Sequence, residues 1–413
     1  MKVLHINTAD SFGGAAKAAF RLHQALLKQE VNSQMFVQQK NSDHYSIIKA
    51  DVDKADKFYK ILRQIIDDFK LKSYKNRTKT LFSPASVSFS KVVEKINDLN
   101  PDIVHLHWIC GSFISIEDLR KINKPIVWSL HDNWVFTGGC HIKWDCEKYL
   151  DKCGKCPVLG SNHENDLSRK VFDRKQNVFS KLPNLKIIGL SRWISNCARE
   201  SALLKNHEIL NLPNVLSTEL YKPIEKKITR ELLSLPLDKK LIMFGAINST
   251  NDINKGFDLL LDALSNIESD AELVVFGSSG PQKKVNYNQR IYYLGHLYDD
   301  YTLNLVYNAA DVMIVPSLQE NLSNAIMEAM SCGTPVVAFN VGGNADLIRH
   351  KVTGYLAIPK NASDLAKGID YVLNNTHYDE MSKLAREYII QNFDDKKRVV
   401  DYINLYNNLL ENS

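Results

Sequence analysis

The chain has 413 residues, 44% of them hydrophobic and 24% charged, with a formal net charge of +5. This is ordinary globular composition, long enough for two domains with their own cores. The mild positive excess suits an anionic ligand or a membrane surface and gives no call for nucleic acid, and no stretch is long and apolar enough to span a bilayer.

The chain enters directly on an apolar run, Val3 to Asn7, too short for a signal peptide and suited to a buried strand. A cytoplasmic protein is expected, with its seven cysteines as thiols. A loop with Gly13-Gly14 and a helix from Ala15 to Lys28 follow, an order that lets backbone N–H groups approach a phosphate. The G-x-G-x-x-G spacing of a dinucleotide fingerprint is missing. Val31 to Gln38 reads as a second strand.

Lys57 to Lys79 follows the helical apolar template through Phe58, Ile61, Leu62, Ile65, Ile66 and Phe69, with basic flanks. Two readings stand: a helix packed on its own sheet with a solvated basic face, or a helix lying on an anionic membrane. Ile103 to Trp108 and Ile126 to Leu130 are further strands, the second running into His131-Asp132-Asn133-Trp134. Then Cys140, Cys146, Cys153 and Cys156 fall close together, the last two as C-x-x-C. In a reducing compartment this set suits a structural zinc ion, with His141 as a possible substitute ligand.

Lys186 to Leu190 is a strand, and Tyr221 to Leu237 is linker-like. Leu241 to Ala246 opens a second α/β pattern, followed by a helix start at Asn254-Lys255-Gly256-Phe257. Strands follow at Glu272–Phe276 and at Ile291–Leu294, the latter leading to Gly295-His296-Leu297. Val312 to Val315 is a buried strand, and Ala325, Ile326, Ala329 and Met330 mark the helix after it. Gly333 and Pro335 stop that helix, Val336 to Phe339 is the next strand, and Gly342-Gly343 turns the chain. Helices at Ala362–Asn374, Tyr378–Asn392 and Asp395–Leu410 close the sequence.

Glu320 falls in the loop leaving a strand, where parallel sheets place ligand groups, and Glu328 lies inside the helix. Fully helical spacing would part them by about 12 Å. Between them, N–H groups at Asn321, Leu322, Ser323 and Asn324 suit an anion such as a diphosphate. Carboxylates accept from hydroxyls, so this pair suits a sugar at one end and a ribose at the other.

The run from Pro316 to Gly343, P-S-x-x-E-x7-E-A-M-x-x-G-T-P-V-V-A-x-x-x-G-G, resembles the donor-site signature of retaining glycosyltransferases of family 4. Asn254-Lys255-Gly256 resembles that family's lysine-glycine element, and Pro101 to Trp108 its His-x-His strand. The resemblance implies the GT-B fold: two doubly wound α/β, Rossmann-like domains facing a cleft. The first is expected at residues 1–212 and the second at 213–394, with a helix at 395–413 returning to the first.

It implies a nucleotide-sugar donor, transfer with retention and no catalytic metal. By the same carry-over, His131 and Glu320 are catalytic, with Glu320 on hydroxyls of the moving sugar and Glu328 on ribose. Lys255 takes the diphosphate, Gly13-Gly14 touches diphosphate or acceptor, and His296-Leu297 meets the base. Ala246-Ile247-Asn248 stands where many relatives carry an arginine, so a second diphosphate cation is in question. The His131–His141 stretch with its trailing cysteines resembles a subgroup from bacterial polysaccharide loci. That implies a saccharide acceptor carried on a lipid at the inner membrane's cytoplasmic face. Two other functions stay open: a nucleotide-sugar epimerase of the same fold, and a non-catalytic Cys-cluster binding module.

Overall fold

The computed structural model describes residues 1–50, 54–87, 91–182, 184–245, 250–278, 280, 290–297 and 299–412, with 54–57 as backbone only. The chain divides into two compact units, Met1–Asn214 with Val399–Ser413, and Val215–Arg398.

The first unit is built on a seven-stranded sheet. Its strands are β1 (Lys2–Ala9), β2 (Asn32–Gln39), β3 (Ile47–Lys49), β4 (Ile103–Leu106), β5 (Ile126–Leu130), β6 (Leu185–Gly189) and β7 (Ile209–Asn211). They lie in the order β3-β2-β1-β4-β5-β6-β7 and every pairing is parallel. The sequence explains this directly: β4 and β5 are buried at every position, as strands covered by helices on both faces must be. The short edge strands β3 and β7 carry too few apolar residues to be read from pattern alone.

The last helix, Asp395–Glu411, contributes all but its first turn to this unit, from Val399 onward. The Tyr402 hydroxyl donates to Leu212 O at 3.3 Å and Pro213 O at 3.0 Å, and the Tyr406 hydroxyl meets His105 Nδ1 at 2.7 Å.

The second unit has six strands: β8 (Lys240–Gly245), β9 (Ala271–Phe276), β10 (Ile291–Tyr293), β11 (Val312–Val315), β12 (Val336–Phe339) and β13 (Gly354–Ala357). Their order is β10-β9-β8-β11-β12-β13, again all parallel. In both units chain order reverses beside the first strand, at β1/β4 and at β8/β11. Those are the topological switch points where open α/β sheets leave a crevice at their strands' carboxyl ends.

One expectation fails in an informative way. The helix Lys54–Lys72 is shorter than the reading 57–79 and does not pack its apolar face on the sheet. Arg63 and Asp67 are buried instead, at 2% and 8% exposure, while Phe58, Ile61, Ile65 and Phe69 face solvent. The Arg63 guanidinium donates to Phe113 O at 3.0 Å. Asp67 accepts from the Ser86 backbone N–H and hydroxyl and from Ser112 Oγ. Buried polar hydrogen bonds, not apolar area, set this helix's roll.

Candidate functional site

The second unit's switch point gathers the residues read as a donor site. Residues 246–249, and with them the arginine question, lie outside the described structure. Asn254 joins the β8 loop to the β11 loop. Its O accepts from Leu318 N–H at 2.9 Å, its side-chain N–H donates to Gln319 O at 3.0 Å, and its Oδ1 accepts from Gln319 N–H at 3.0 Å. Gly256 follows in the left-handed region at φ +68°, and a Cβ there would sit 2.0 Å from Pro316 O. The two loops therefore touch backbone to backbone, which only glycine permits. The expected helix start at 254 is in fact a 3-10 turn, Ile253–Lys255, with the α-helix beginning at Phe257.

This zipper sets Lys255 Nζ 3.4 Å from Glu320 Oε2, with both side chains partly exposed. The carboxylate raises the lysine's pKa against the opposing pull of burial, so the ammonium stays charged. From the other side, Gly343 N–H donates to Glu320 O at 3.1 Å. Gly342, at φ +53°, lets the backbones close so far that a Cβ would lie 1.7 Å from that oxygen. A cation on the β8 loop thus meets a carboxylate on the β11 loop, which both neighbouring loops brace. The cation can take a phosphate oxygen and the carboxylate a hydroxyl.

Glu328 lies in the helix Asn324–Ser331 and is 3% exposed. Its Oε2 accepts from the Tyr307 hydroxyl at 2.7 Å, and Tyr307 is itself buried. The helix begins only at Asn324, so the 12 Å helical estimate for the two glutamates does not carry over. Ser323 caps that helix, its hydroxyl accepting from Ile326 N–H at 3.4 Å. Asn321 and Leu322 precede it in the same loop, Leu322 buried. His296 and Leu297 follow the edge strand β10, past Gly295 at φ +69°, with His296 exposed. They sit two strands from the switch point.

In the first unit, Gly13 caps the helix Gly14–Lys28 at φ +98°, and a Cβ there would meet nothing within 4 Å. Nearby strand ends carry a chain of imidazoles. Register pairs His5 with His105, and alternation puts His105 and His107 on one face. His5 Nδ1 meets His107 Nε2 at 3.0 Å, and His107 Nδ1 meets His131 Nε2 at 2.9 Å.

His5 Nε2 is buried and has no partner among the described residues. An orphan N–H costs more than an orphan lone pair, so His5 carries its proton on Nδ1. The donor direction then runs His5 to His107 to His131, leaving the His131 proton on Nδ1. Burial lowers the pKa of all three, that of His131 to about 4 against the opposing pull of Asp132, so the chain is neutral.

Asp132, the neighbour of His131, is held by three donors. It accepts from His141 Nδ1 at 2.6 Å, Trp108 Nε1 at 2.8 Å and Trp134 N–H at 2.8 Å. His141 Nε2 meets Ser83 Oγ at 2.8 Å, so both its nitrogens are engaged and it is not a spare metal ligand. Lys175 is fully buried, donates to Trp134 O and to Thr137 O, and lies 3.6 Å from the Trp134 ring centroid. It pins the His131-to-Cys140 loop from behind.

Cys140, Cys153 and Cys156 are buried and Cys146 partly so, all four as free thiols. Burial pushes the Cys153 thiol up to about 12 and the Cys156 thiol up as well, against the opposing pull of the Gly138 N–H on the first and of the Leu159 and Val158 N–H groups on the second. The sulfurs are not drawn into a tetrahedron. Among the described residues, only His5, His105 and His107 form a set of three ligand atoms within 4.8 Å of one another. Both His105 nitrogens there are already occupied, by Tyr406 and Ser129 hydroxyls.

Residues 238–375 match the model of the family described as Glycosyl transferases group 1. The chain is a transferase enzyme. It is 26% identical to an uncharacterised glycosyltransferase of Methanocaldococcus jannaschii over 72% of this chain and 80% of that one. It is 25% identical to protein CapJ of Staphylococcus aureus over 82% of this chain and 76% of that one. A UDP-Gal:alpha-D-GlcNAc-diphosphoundecaprenol alpha-1,3-galactosyltransferase of Escherichia coli is 29% identical over 38% of this chain and 39% of its own. In fold it matches sucrose-phosphate synthase of Thermosynechococcus elongatus, with a TM-score of 0.71, 20% identity and full coverage of both chains. The fold is GT-B.

Asn254, Tyr307, His5 and His107 are site residues that sequence reading missed. The alternation His105-x-His107 was visible, but its meeting with His5 and His131 depends on strand order.

Proposed function

We propose that this transferase is a retaining, family 4-type enzyme that moves a sugar from a nucleotide-sugar donor to a saccharide acceptor. The observation that carries the proposal is the Lys255–Glu320 pair at the β8/β11 switch point, inside the group 1 domain. Lys255 holds the diphosphate, helped by the N–H groups of Asn321 to Asn324. Glu320 accepts from hydroxyls of the transferred sugar, and Glu328, steadied by Tyr307, accepts from ribose. His296 and Leu297 flank the base. In the first unit, Gly13-Gly14 leaves room for diphosphate or acceptor, and His131 offers its Nδ1–H to a sugar oxygen.

In the reaction, the bond from anomeric carbon to diphosphate breaks and the electron pair leaves with the diphosphate. The acceptor hydroxyl bonds to that carbon, and its proton passes to the leaving group. Fixed donors around the diphosphate supply the stabilisation.

The acceptor is a saccharide on a lipid carrier, in bacterial surface-polysaccharide assembly at the inner membrane's cytoplasmic face. The relative named as a diphosphoundecaprenol galactosyltransferase supports this reading. Cys140, Cys146, Cys153 and Cys156 hold a structural zinc ion when the loop closes on it, and the closeness of the four cysteines in sequence, with the C-x-x-C spacing of the last two, supports that. Zinc assay of the purified protein and of Cys156→Ser tests it, and an absence of zinc from both removes the ion.

The donor site is tested by melting curves with UDP-, GDP- and dTDP-sugars, followed by transfer assays with anomer-resolved NMR. One sugar should stabilise wild type and not Glu320→Ala. A product with inverted configuration, or an epimerised donor with no transfer, would overturn the reading.

A further inference from the structure

The helix Lys54–Lys72 carries five of the eighteen large apolar side chains exposed among the described residues. Phe58 is 62% exposed, Ile61 58%, Ile65 57% and Phe69 73%, with Tyr59 beside them. At helical spacing these four form one continuous ridge, opposite the inward-facing Arg63, Asp67 and Leu71. Such a ridge on a lone water-soluble surface is unfavourable and calls for an occupant.

The surroundings say which. Lys70, Lys72, Lys75, Arg77 and Lys79 are exposed at the ridge's end, against Asp68 as the exposed acid among the helix's described side chains. Beside Phe69 opens a cavity of about 680 Å³ whose rim includes Lys70, Lys72 and Lys170. An apolar ridge bordered by lysines matches a layer of acyl chains beneath anionic phosphates.

We propose that the outer face of the helix Lys54–Lys72 docks on an anionic phospholipid leaflet. Phe58, Ile61, Ile65 and Phe69 enter the acyl boundary, and Lys70, Lys72 and Lys170 meet lipid phosphates. The inference is independent of the donor-site reading. It uses residues of the first unit that touch no proposed donor contact.

The test is vesicle flotation of the full chain. Phosphatidylcholine vesicles are compared with vesicles containing about a third phosphatidylglycerol. Wild type should float with the anionic vesicles and at least tenfold less with neutral ones. Ile65→Ser with Phe69→Ser should lower flotation at least tenfold. Lys70→Glu with Lys72→Glu should lower it by about fivefold for each charge removed. All these positions are exposed, so melting temperatures should hold. Transfer to a water-soluble acceptor should also hold, which separates failure of docking from failure of the transferase reading. Equal flotation with neutral vesicles, or wild-type flotation by the serine variant, overturns the proposal. So does a dimer by light scattering that the serine variant dissociates, since the ridge then belongs to a second copy.

Discussion

Gly342→Ala should dismantle the donor loop from a distance, because the loop is held by a backbone contact that admits no Cβ. Gly342 sits at φ +53°, where an L-residue costs about 1–2 kcal/mol. Its new methyl would lie 1.7 Å from Glu320 O and 2.9 Å from Glu320 C, so the backbones must part by more than an ångström. That relief costs about 1–3 kcal/mol, and the Gly343 N–H bond to Glu320 O at 3.1 Å goes with it, about 1 kcal/mol more.

The sum is about 3–6 kcal/mol, which for a unit spanning Val215–Arg398 is on the order of a 10–20 °C fall in Tm. Glu320 and Lys255 move with the loop, and misplacement by about 1 Å costs roughly a hundredfold in rate. Melting curves and donor binding are measured together, with Gly13→Ala as the contrast for the melting curves alone, because Gly13 borders the proposed site. Its methyl meets nothing within 4 Å, so it should show only the strain of φ +98°. A Gly342→Ala protein with wild-type Tm and donor affinity would refute the close approach and the bracing role built on it.

Lys255→Met should weaken nucleotide-sugar binding by ten- to a hundredfold by calorimetry while leaving the fold intact, and Lys255→Arg should recover part of it. Unchanged affinity in the methionine variant removes Lys255 from the diphosphate. Nitrogen-15 NMR of the histidine rings should find His131 as the Nδ1–H tautomer, and an Nε2–H ring there reverses the His5–His107–His131 direction.

Acid should destabilise the first unit steeply. His23 and His105 are held neutral down to about 3 and His131 to about 4, and His5 and His107 are also lowered, burial being the main cause throughout. The unfolded chain takes up those protons near 6.5, so it binds more of them below that pH. The stability is complete above 6.5 and is lost as pH falls towards 4, by about 1.4 kcal/mol per pH unit for each histidine. A Tm that is flat from pH 7 to 4.5 contradicts the burial of this set, and His23→Gln should flatten the profile in part.

The apolar runs at β1, β4, β5, β8, β11 and β12 were legible because a strand buried on both faces leaves its composition as a signature. Glu320, Glu328 and Lys255 were legible because each sits at a fixed offset from such a run. Sequence could not show that Asn254 and Gly342 brace Glu320 from either side, or that Tyr307 holds Glu328. Those contacts join residues remote in the chain and exist only once strand order is set.

The helix Lys54–Lys72 marks the boundary most plainly. Its sequence determined that Phe58, Ile61, Ile65 and Phe69 share one face. Which way that face looks was decided by Phe113 O, Ser86 and Ser112, which take up the Arg63 guanidinium and the Asp67 carboxylate on the inner side. Periodicity is a property of one segment and is written in its own residues. Orientation is a property of the partners, and a buried charge goes where its hydrogen bonds are.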